Sequence, residues 1–217
     1  NSPCGSVTSN VITVTVTDTT FPSITCPSNI NVNNAANTCA ATVTYTAPVG
    51  TDNCPGPVTT QIAGLASGSS FPVGTTTNTF RVTDGSGNTA QCSFTVTVTD
   101  NQLPTITCPT NIGVNTASGQ CHAVVTYTAP VGSDNCSGAT TTRTAGPASG
   151  STFSVGVTTI THTVTAANGQ TATCSFTVTV TDNQPPTANC QNIAVTVGAG
   201  GTVNITPTQI NNGSSDN

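Results

Sequence analysis

The chain of 217 residues contains no Lys, Glu, Met or Trp, and its only charged residues are seven Asp, Arg81 and Arg143. A net charge of -5 without any basic cluster excludes a nucleic-acid ligand, because binding a phosphate backbone requires several Lys or Arg side chains. The same deficit excludes binding to an anionic membrane surface. No stretch approaches the ~20 apolar residues that span a bilayer, so we expect no membrane insertion. Asn1 begins without a signal-peptide pattern, so we expect the targeting information to lie outside this chain or to have been removed.

Polar uncharged residues replace the missing charges, and Thr is prominent among them. Thr is β-branched and favours strands over helices. Ten cysteines in so short and polar a chain indicate disulfides, and therefore an oxidising, extracellular location at a cell surface or in a secreted protein. A zinc site would require cysteines two to four residues apart, whereas the closest cysteines here, such as Cys26 and Cys39, are 13 positions apart.

The cysteines reveal an internal repeat. A set of five recurs with a shift of 82 positions: Cys26, Cys39, Cys54, Cys92 and Cys108 correspond to Cys108, Cys121, Cys136, Cys174 and Cys190. The segment from Phe21 to Gln102 aligns with that from Leu103 to Gln184 without a gap, and about two-thirds of the positions are identical. The chain is therefore a tandem array of two complete modules.

The repeat also predicts what flanks the two modules. The stretch VITVTVTD aligns with SFTVTVTD, so residues 1–20 are predicted to be the last strand of a preceding module. Residues 21–102 and 103–184 are the two complete modules, and residues 185–217 are the start of a divergent third one. Cys4 and Cys190 are then expected to pair with cysteines outside this fragment.

Alternation with a period of two predicts strands throughout. In SFTVTVT, Phe94, Val96 and Val98 share one face, and the Thr residues between them share the other. Gly and Pro fall between such runs at spacings suited to turns, and no segment shows helical periodicity. Seven or so short strands per module predict an all-β fold, with tandem immunoglobulin-like β-sandwich modules in an elongated array.

Several motifs together resemble the HYR, or hyalin, repeat. They are PSITCPSNINV, TDNC and FPVGTTTNTFRVTDGSGNTAQCSFTVTV with their copies in the second module. The resemblance implies immunoglobulin-fold modules of extracellular adhesive proteins, including very long bacterial surface or secreted proteins, particularly of Bacteroidota. It implies no enzymatic activity. The second copy departs from the pattern at Ala166 and Gln170, where the first has Asp84 and Asn88.

Four cysteines per module allow three pairings. Cys26 is in phase with inward Ile24, and Cys92 with inward Phe94, so a bond between the first and last strands would lie in the core, as the resemblance to two-cysteine HYR repeats also implies. The remaining two cysteines of each module would then pair, although a pairing of Cys39 with Cys92, as in antibody domains, stays open. The predicted bridges are Cys26–Cys92, Cys39–Cys54, Cys108–Cys174 and Cys121–Cys136.

The aspartates also follow the repeat. Asp18, Asp100 and Asp182 end the last strand of a module, and Asp52, Asp134 and Asp216 precede the Asn of a turn. One interpretation is a calcium site at the module joints, because calcium binds carboxylate, amide and carbonyl oxygens. The other is that Asp and Asn close turns by bonding their own backbone. Calcium is the one cofactor that the sequence suggests, with these candidate ligands: Asp18, Asp100, Asn101, Asp134, Asp182, Asn183 and Asp216.

No reactive group is repeated. His122 aligns with Ala40 and His162 with Phe80, so a Ser-His-Asp arrangement would exist in one module only, and we expect no enzyme. His162 is predicted to be a partly buried strand residue, and Arg81 and Arg143 to face solvent. Thr19, in Asp18-Thr19-Thr20, resembles an O-glycan acceptor of Bacteroidota.

These observations predict a structural or adhesive segment of a long extracellular protein, a stalk or filament whose partners are the neighbouring modules of the same chain. Lateral self-association into fibres through an exposed edge strand is a further expectation, as is an unidentified ligand on a host or environmental surface. The alternative is a carbohydrate- or ligand-binding module. Such a module would use exposed aromatic rings, whereas the two tyrosines, Tyr45 and Tyr127, lie in the inward strand phase.

Overall fold

A computed structural model describes residues 11–216 of the chain. The chain divides into two compact units, the first ending at Asn101 and the second beginning at Gln102. Each unit is a small sandwich of two β-sheets, so the prediction of an all-β fold with tandem sandwich modules is confirmed.

The first unit has six strands. They are β1 (Ile30–Asn33), β2 (Ala40–Val43), β3 (Val58–Ala63), β4 (Ser69–Pro72), β5 (Gly74–Thr83) and β6 (Thr89–Thr99). One sheet has the order β1-β6-β5-β3, and the other pairs β2 with β4. Strand β1 runs parallel to β6, and the other pairs are antiparallel. The sequence predicts about seven strands; before β1 the structure forms only an isolated bridge between Ser23 and Thr51.

The second unit repeats this arrangement. Its strands are β7 (Ile112–Asn115), β8 (His122–Val125), β9 (Thr140–Ala145), β10 (Ser151–Ser154), β11 (Gly156–Thr165) and β12 (Thr171–Thr181). The sheet order β7-β12-β11-β9 and the pair β8-β10 match the first unit strand for strand. The 82-residue sequence repeat is therefore a repeat of topology.

The alternating pattern of the long last strand is the reason for the sandwich. In β6, Phe94, Val96 and Val98 are all at most 2% exposed, while the intervening Thr residues remain partly accessible. Residues from the facing sheet complete the core of the first unit, among them Ala41, Val43 and Phe71. Burying alternate side chains between two sheets is what a period of two requires.

Two flanking segments have little regular structure. Residues 11–20 form no strand, because no strand of the described chain pairs with them and an unpaired strand is not stable alone. Residues 185–216 contain the short helix α1 (Pro207–Ile210) and two isolated bridges, Thr187 with Ser215 and Cys190 with Asn211. The assignment of these segments to further modules stays a prediction.

Candidate functional site: cysteines and aspartates of the modules

A disulfide closes each module between its first segment and its last strand. Cys26 is bonded to Cys92 and Cys108 to Cys174, with Cα–Cα distances of 5.6 and 5.5 Å. Both cysteines of the first bridge pack against the hydrophobic core. These are the two predicted inter-strand pairings, and they exclude the antibody-type alternative of Cys39 with Cys92.

The predicted bridge between Cys39 and Cys54 is wrong. Cys39 is in a disulfide, but Cys54 carries a free thiol, so Cys54 is not its partner. Cys136 is likewise in a disulfide, and its pairing with Cys121 stays a prediction. Cys4 lies outside the described residues, and Cys190 carries an exposed free thiol.

Five aspartates form turns, and four of them stand at repeated positions. In each case a carboxylate oxygen accepts a hydrogen bond from the backbone N–H two residues later. The pairs are Asp18 with Thr20 (2.9 Å), Asp52 with Cys54 (2.9 Å), Asp84 with Ser86 (2.9 Å), Asp134 with Cys136 (3.1 Å) and Asp182 with Gln184 (3.0 Å). The turn interpretation is thus visible at five positions.

Two of these aspartates and one cysteine come together in the first module. One ligand atom each of Asp18, Asp52 and Cys54 lies within 4.8 Å of the other two. The remaining carboxylate oxygens, Oδ2 of Asp18 and Oδ1 of Asp52, are buried and lack a hydrogen-bond partner. Two carboxylates 34 positions apart in the sequence therefore meet in the fold. We call Asp18, Asp52 and Cys54 the entry cluster.

The charges of the entry cluster perturb one another. The hydrogen bond from the Thr20 backbone, and then the interaction with the Cys54 side chain, lower the pKa of Asp18. In return the pKa of the Cys54 thiol is raised, first by its interaction with Asp18, then by burial and by the negative charges of Asp18, Asp52 and Asp84. The cluster thus favours the carboxylate form of Asp18 and the protonated form of Cys54.

Asp84 and Asn88, in the β5–β6 turn, hold the segment from Asp18 to Thr20 against the first module. Asp84 is only 7% exposed and accepts hydrogen bonds from the backbone and side chain of Asn88, both at 2.8 Å. Burial opposes ionisation, but the hydrogen bonds from Asn88, Ser86 and Gly87 lower the pKa of Asp84 overall. The Asn88 amide also donates to the carbonyl oxygens of Asp18 and Thr20.

The other candidate calcium ligands differ in burial and in their hydrogen bonds. Asp100 is buried and accepts a 2.9 Å hydrogen bond from the Asn34 amide. The backbone N–H of Asn101 donates to Asn34 Oδ1 at 3.4 Å. Oδ1 of Asp134 is buried without a hydrogen-bond partner, whereas Asp182, Asn183 and Asp216 are exposed.

The histidines and arginines form no catalytic arrangement in the described chain. His162 is 3% exposed, more buried than the sequence predicts, and its ring lies parallel to Phe176 and edge-on to Tyr127. Burial, and then the charge of Arg143, lower the pKa of His162, so its imidazole is neutral at pH 7. Arg81 and Arg143 face solvent, as predicted.

Both tyrosines are structural. The Tyr45 ring packs edge-on against Phe80 and Phe94, and its hydroxyl donates to the carbonyl oxygen of Leu65 at 2.6 Å. The Tyr127 hydroxyl donates to the carbonyl oxygen of Pro147 at 2.7 Å. Both side chains are thus held in place by contacts within their own module.

Sequence reasoning missed Asp52 and Cys54 as members of one cluster with Asp18. A signal that could have found them is the shared spacing of Asp18 with Asp52 and of Asp100 with Asp134, which is 34 positions in each case. The bridge between Ser23 and Thr51 holds the segments of Asp18 and Asp52 side by side.

Comparison with known sequences identifies the family. The HYR domain family matches residues 17–98 and 99–180, which together make up most of the chain. The chain belongs to the HYR domain family. The matched ranges begin four residues before the modules predicted from the repeat, so Asp18 of the entry cluster lies within the first HYR domain.

The HYR modules of this chain are similar to those of several larger proteins. Identity is 38% with hyalin of Strongylocentrotus purpuratus over 88% of this chain and 16% of that protein, and 36% with hyalin of Lytechinus variegatus over 88% and 37%. A 29% match covers 61% of this chain and 7% of the Staphylococcus aureus serine-rich adhesin for platelets. The chain thus spans well under half the length of these relatives, none of which supports the expected origin in Bacteroidota.

Among solved structures, the extracellular domains of protocadherin gammaB7 align with a TM-score of 0.37 at 14% identity, covering 83% of this chain and 55% of theirs. The HYR family and the disulfides place the protein outside the cell. No helix within residues 11–216 has the length and apolar character to cross a membrane.

Proposed function

We propose that this chain is a segment of a stalk or filament in a long extracellular adhesive protein, and that it carries no enzymatic activity. Its task is mechanical: small, disulfide-closed HYR modules in series hold a binding region away from the surface that bears the protein. A bacterial source, particularly in Bacteroidota, remains part of the prediction, although none of the hyalin and adhesin relatives comes from Bacteroidota.

The observation that supports this proposal is that the motif residues of the family are used inside the modules. Asn29 and Asn111 bond to the last strand, the tyrosine hydroxyls bond to loop carbonyls, and the aspartates close turns. A binding or catalytic module would direct some of its repeated polar groups toward solvent. Here the repeated groups stabilise the repeat itself, as expected of a spacer.

The proposal can be tested with concatemers of the full chain. We expect the contour length in electron micrographs to increase in proportion to the number of copies, and arrays of glycans and matrix proteins probed with one copy to show no saturable binding. Saturable binding that is lost on substitution of a defined surface cluster would overturn the spacer role and favour a ligand-binding module.

The alternative, a carbohydrate- or ligand-binding module, has one feature in its favour. The second module contains an open cleft of about 430 Å³ lined by Tyr127, Pro130, Arg143 and His162, among others. Arg143 and His162 are replaced by Gln61 and Phe80 in the first module. Binding to this cleft would be specific to one module, and R143Q, which restores the first-module residue, would abolish it.

We also propose that calcium binds the entry cluster of the HYR module, in addition to the turns that its aspartates form. The supporting feature is the pair of buried oxygens without hydrogen-bond donors, one on Asp18 and one on Asp52. Two carboxylates give a site of low charge, for which extracellular modules typically show dissociation constants of ~10⁻⁴–10⁻³ M. The other predicted ligands, Asp100, Asn101, Asp134, Asp182, Asn183 and Asp216, belong to the same proposal at the later joints.

Calcium binding can be separated from turn formation with Asp→Asn substitutions, because Asn keeps the oxygen that accepts the turn hydrogen bond but loses the charge. With a dissociation constant of ~1 mM, calcium at ~10 mM should raise the free energy of unfolding by about 1.4 kcal/mol. D18N and D52N should lose this effect, whereas D182N, an exposed turn of the same type, should retain it in the first module. If the wild type shows no calcium-dependent shift in thermal unfolding, only the turn role remains.

Two further interactions belong to the proposal. Thr19 is exposed beside Asp18, as an O-glycan acceptor must be, and mass spectrometry of the native protein would detect a glycan on its peptide. Lateral association of chains into fibres would produce concentration-dependent sedimentation. The absence of both would leave a bare monomeric spacer.

A further inference from the structure

One of the two arginines of this acidic chain lies in a cleft. The net charge is -5, and Arg81 and Arg143 are the only basic side chains apart from two histidines. Arg143 lines the open cleft of about 430 Å³ in the second module, a volume within the range of small-molecule sites. None of the described residues that line this cleft is acidic. The cleft is therefore positive on a protein that is negative as a whole, which favours an anionic ligand.

Strand pairing places Arg143 beside His162. The two residues lie directly opposite each other in the ladder of β9 with β11, so their side chains share one face of the sheet. Arg143 is exposed, and its guanidinium donates a hydrogen bond to the carbonyl oxygen of Gly146. This bond holds the side chain at the cleft and uses one of the five N–H donors of a guanidinium. The remaining donors suit the two oxygens of a carboxylate.

His162 gives the cleft a buried polar group that the module leaves unpaired. The residue lines the cleft but is only 3% exposed, and its Nδ1 is buried without a hydrogen-bond partner in the described chain. Buried polar atoms are nearly always hydrogen-bonded, so each exception requires a reason. A ligand that reaches the imidazole from the cleft supplies one. It also accounts for a histidine at the position where the first module has Phe80 in its core.

The other polar side chains of the cleft are used within the module. The Tyr127 hydroxyl donates to the carbonyl oxygen of Pro147, and the Ser149 hydroxyl donates to that of Tyr127 at 2.7 Å. Thr141 Oγ1 accepts a 2.9 Å hydrogen bond from the backbone N–H of Gly132. The rest of the wall consists of small or apolar residues, which are Ala129, Pro130, Val131, Gly132, Ala139 and Ala148. Such a wall suits an apolar group better than the hydroxyls of a sugar, which would lose their hydrogen bonds to water there.

We propose that this cleft binds a small carboxylic acid with an apolar body, whose carboxylate pairs with Arg143 and accepts a hydrogen bond from the imidazole of His162. Pairs of guanidinium and carboxylate are strong because their hydrogen bonds are charge-assisted and can be bidentate. The inference deepens the alternative function given above, a ligand-binding module, and rests on it. It is restricted to the second module, because the first has Gln61 and Phe80 at these positions. There the Gln61 amide donates to the carbonyl oxygen of Leu65 at 3.0 Å, so this position serves the fold instead.

The test is a nuclear magnetic resonance titration of the full chain with hexanoate. The imidazole signals of His162 should shift until the site is saturated, while those of His122, the other histidine, should stay in place. Two control compounds separate the parts of the ligand, because 1-hexanol lacks the charge and glucuronate lacks the apolar body. We expect both to bind more weakly than hexanoate. Equal binding of 1-hexanol would overturn the pairing with Arg143, and equal binding of glucuronate would overturn the apolar body.

Substitutions of the two arginines locate the site. R143Q introduces the residue of the first module and should weaken hexanoate binding about 10-fold or more, the effect of losing a hydrogen bond to a charged group. R143K should retain part of the affinity, because Lys keeps the charge but not the planar fork. R81Q is the matched control, since it removes the other arginine from the first module and should leave binding unchanged. Undiminished binding by R143Q would overturn the proposal.

The outcomes also separate this inference from the proposed functions. A chain that binds no hexanoate refutes the acid site but leaves the spacer role in place, because contour length tests that role. Binding to a glycan that is lost in R143Q, without binding of hexanoate, would keep the ligand-binding module and refute the acid as its ligand.

Discussion

Asn78 shows at the level of single residues how two copies of one fold fill the same buried position differently. This side chain in β5 is completely buried, and its Oδ1 accepts a 2.8 Å hydrogen bond from the backbone N–H of Leu65. At the equivalent positions the second module has buried Ile160 and half-buried Pro147. Since proline has no backbone N–H, the apolar Ile leaves no donor unpaired. The two differences between the modules are therefore coupled.

We expect N78I alone to destabilise the first module by about 1–3 kcal/mol, because it leaves the Leu65 N–H without an acceptor. Adding L65P should recover about 1 kcal/mol or more of that loss, because it removes the unpaired N–H. Chemical denaturation of the four proteins of a double-mutant cycle measures the coupling energy. Effects that add without coupling would show that the Leu65 N–H finds another acceptor.

His162 gives the second module a histidine-linked dependence on pH that the first lacks, because the equivalent residue there is Phe80. Burial, followed by the charge of Arg143, lowers the pKa of His162. Below the ordinary histidine pKa of about 6.5, the unfolded chain therefore binds a proton more readily than the folded one. The second module should lose stability as the pH falls below that value.

We expect H162F to be more stable than the wild type at pH 5, and the difference to shrink to a constant above pH 7, where both states carry a neutral histidine. Thermal unfolding across this pH range measures the effect. H122A is the control, because it removes the other histidine and should leave the pH dependence due to His162 in place. A difference between wild type and H162F that does not vary with pH would contradict the assignment.

At the level of secondary structure elements, the parallel strand at the start of each module depends on one asparagine. Asn29 precedes β1, and its Oδ1 accepts a 2.9 Å hydrogen bond from the backbone N–H of Thr95 in β6. Asn111 and Thr177 repeat the contact at 2.9 Å. The side chain thus provides an acceptor just before the β1–β6 ladder begins at Ile30 and Val96, which explains the Asn in the motif CPSNI.

We expect N29A to lower the free energy of unfolding of the first module by about 1 kcal/mol, the typical net value of one hydrogen bond. N29D keeps an acceptor oxygen and is the matched control, expected to retain most of the stability. Urea denaturation followed by circular dichroism measures both. Equal losses in the two variants would indicate that the amide, and not the acceptor, is what matters.

For the whole molecule, the disulfides limit how far each module can extend. The bridges Cys26–Cys92 and Cys108–Cys174 each span a sequence separation of 66 residues. Tension applied at the ends of a module passes through this bond, so the residues between the cysteines cannot extend. Reduction should therefore add about 230 Å of contour length per module, at about 3.5 Å per residue.

Single-molecule pulling of the chain with and without reductant tests this expectation, and C26S/C92S provides the gain for the first module alone. Loss of that bridge should also cost about 2–5 kcal/mol of stability in the first module and leave the second, which has its own core, unaffected. An unchanged contour length under reduction would show that the bridges lie outside the force path.

Periodicity in the amino-acid sequence is sufficient to assign the fold class, the repeat and the inward faces of the strands. A period of two assigns faces, and a period of 82 assigns modules. Phe94, Val96 and Val98 can be assigned to the core from the sequence, because their alternation with Thr admits one burial pattern.

Which polar groups meet depends on tertiary contacts. Asp18 and Asp52 come together with Cys54 because the chain pairs Ser23 with Thr51, a contact between distant segments that a local pattern cannot encode. The prediction of a bond between Cys39 and Cys54 is wrong for the same reason. Spacing along the chain constrains which cysteines could pair within a module, but only the three-dimensional positions of the sulfurs determine which of them do.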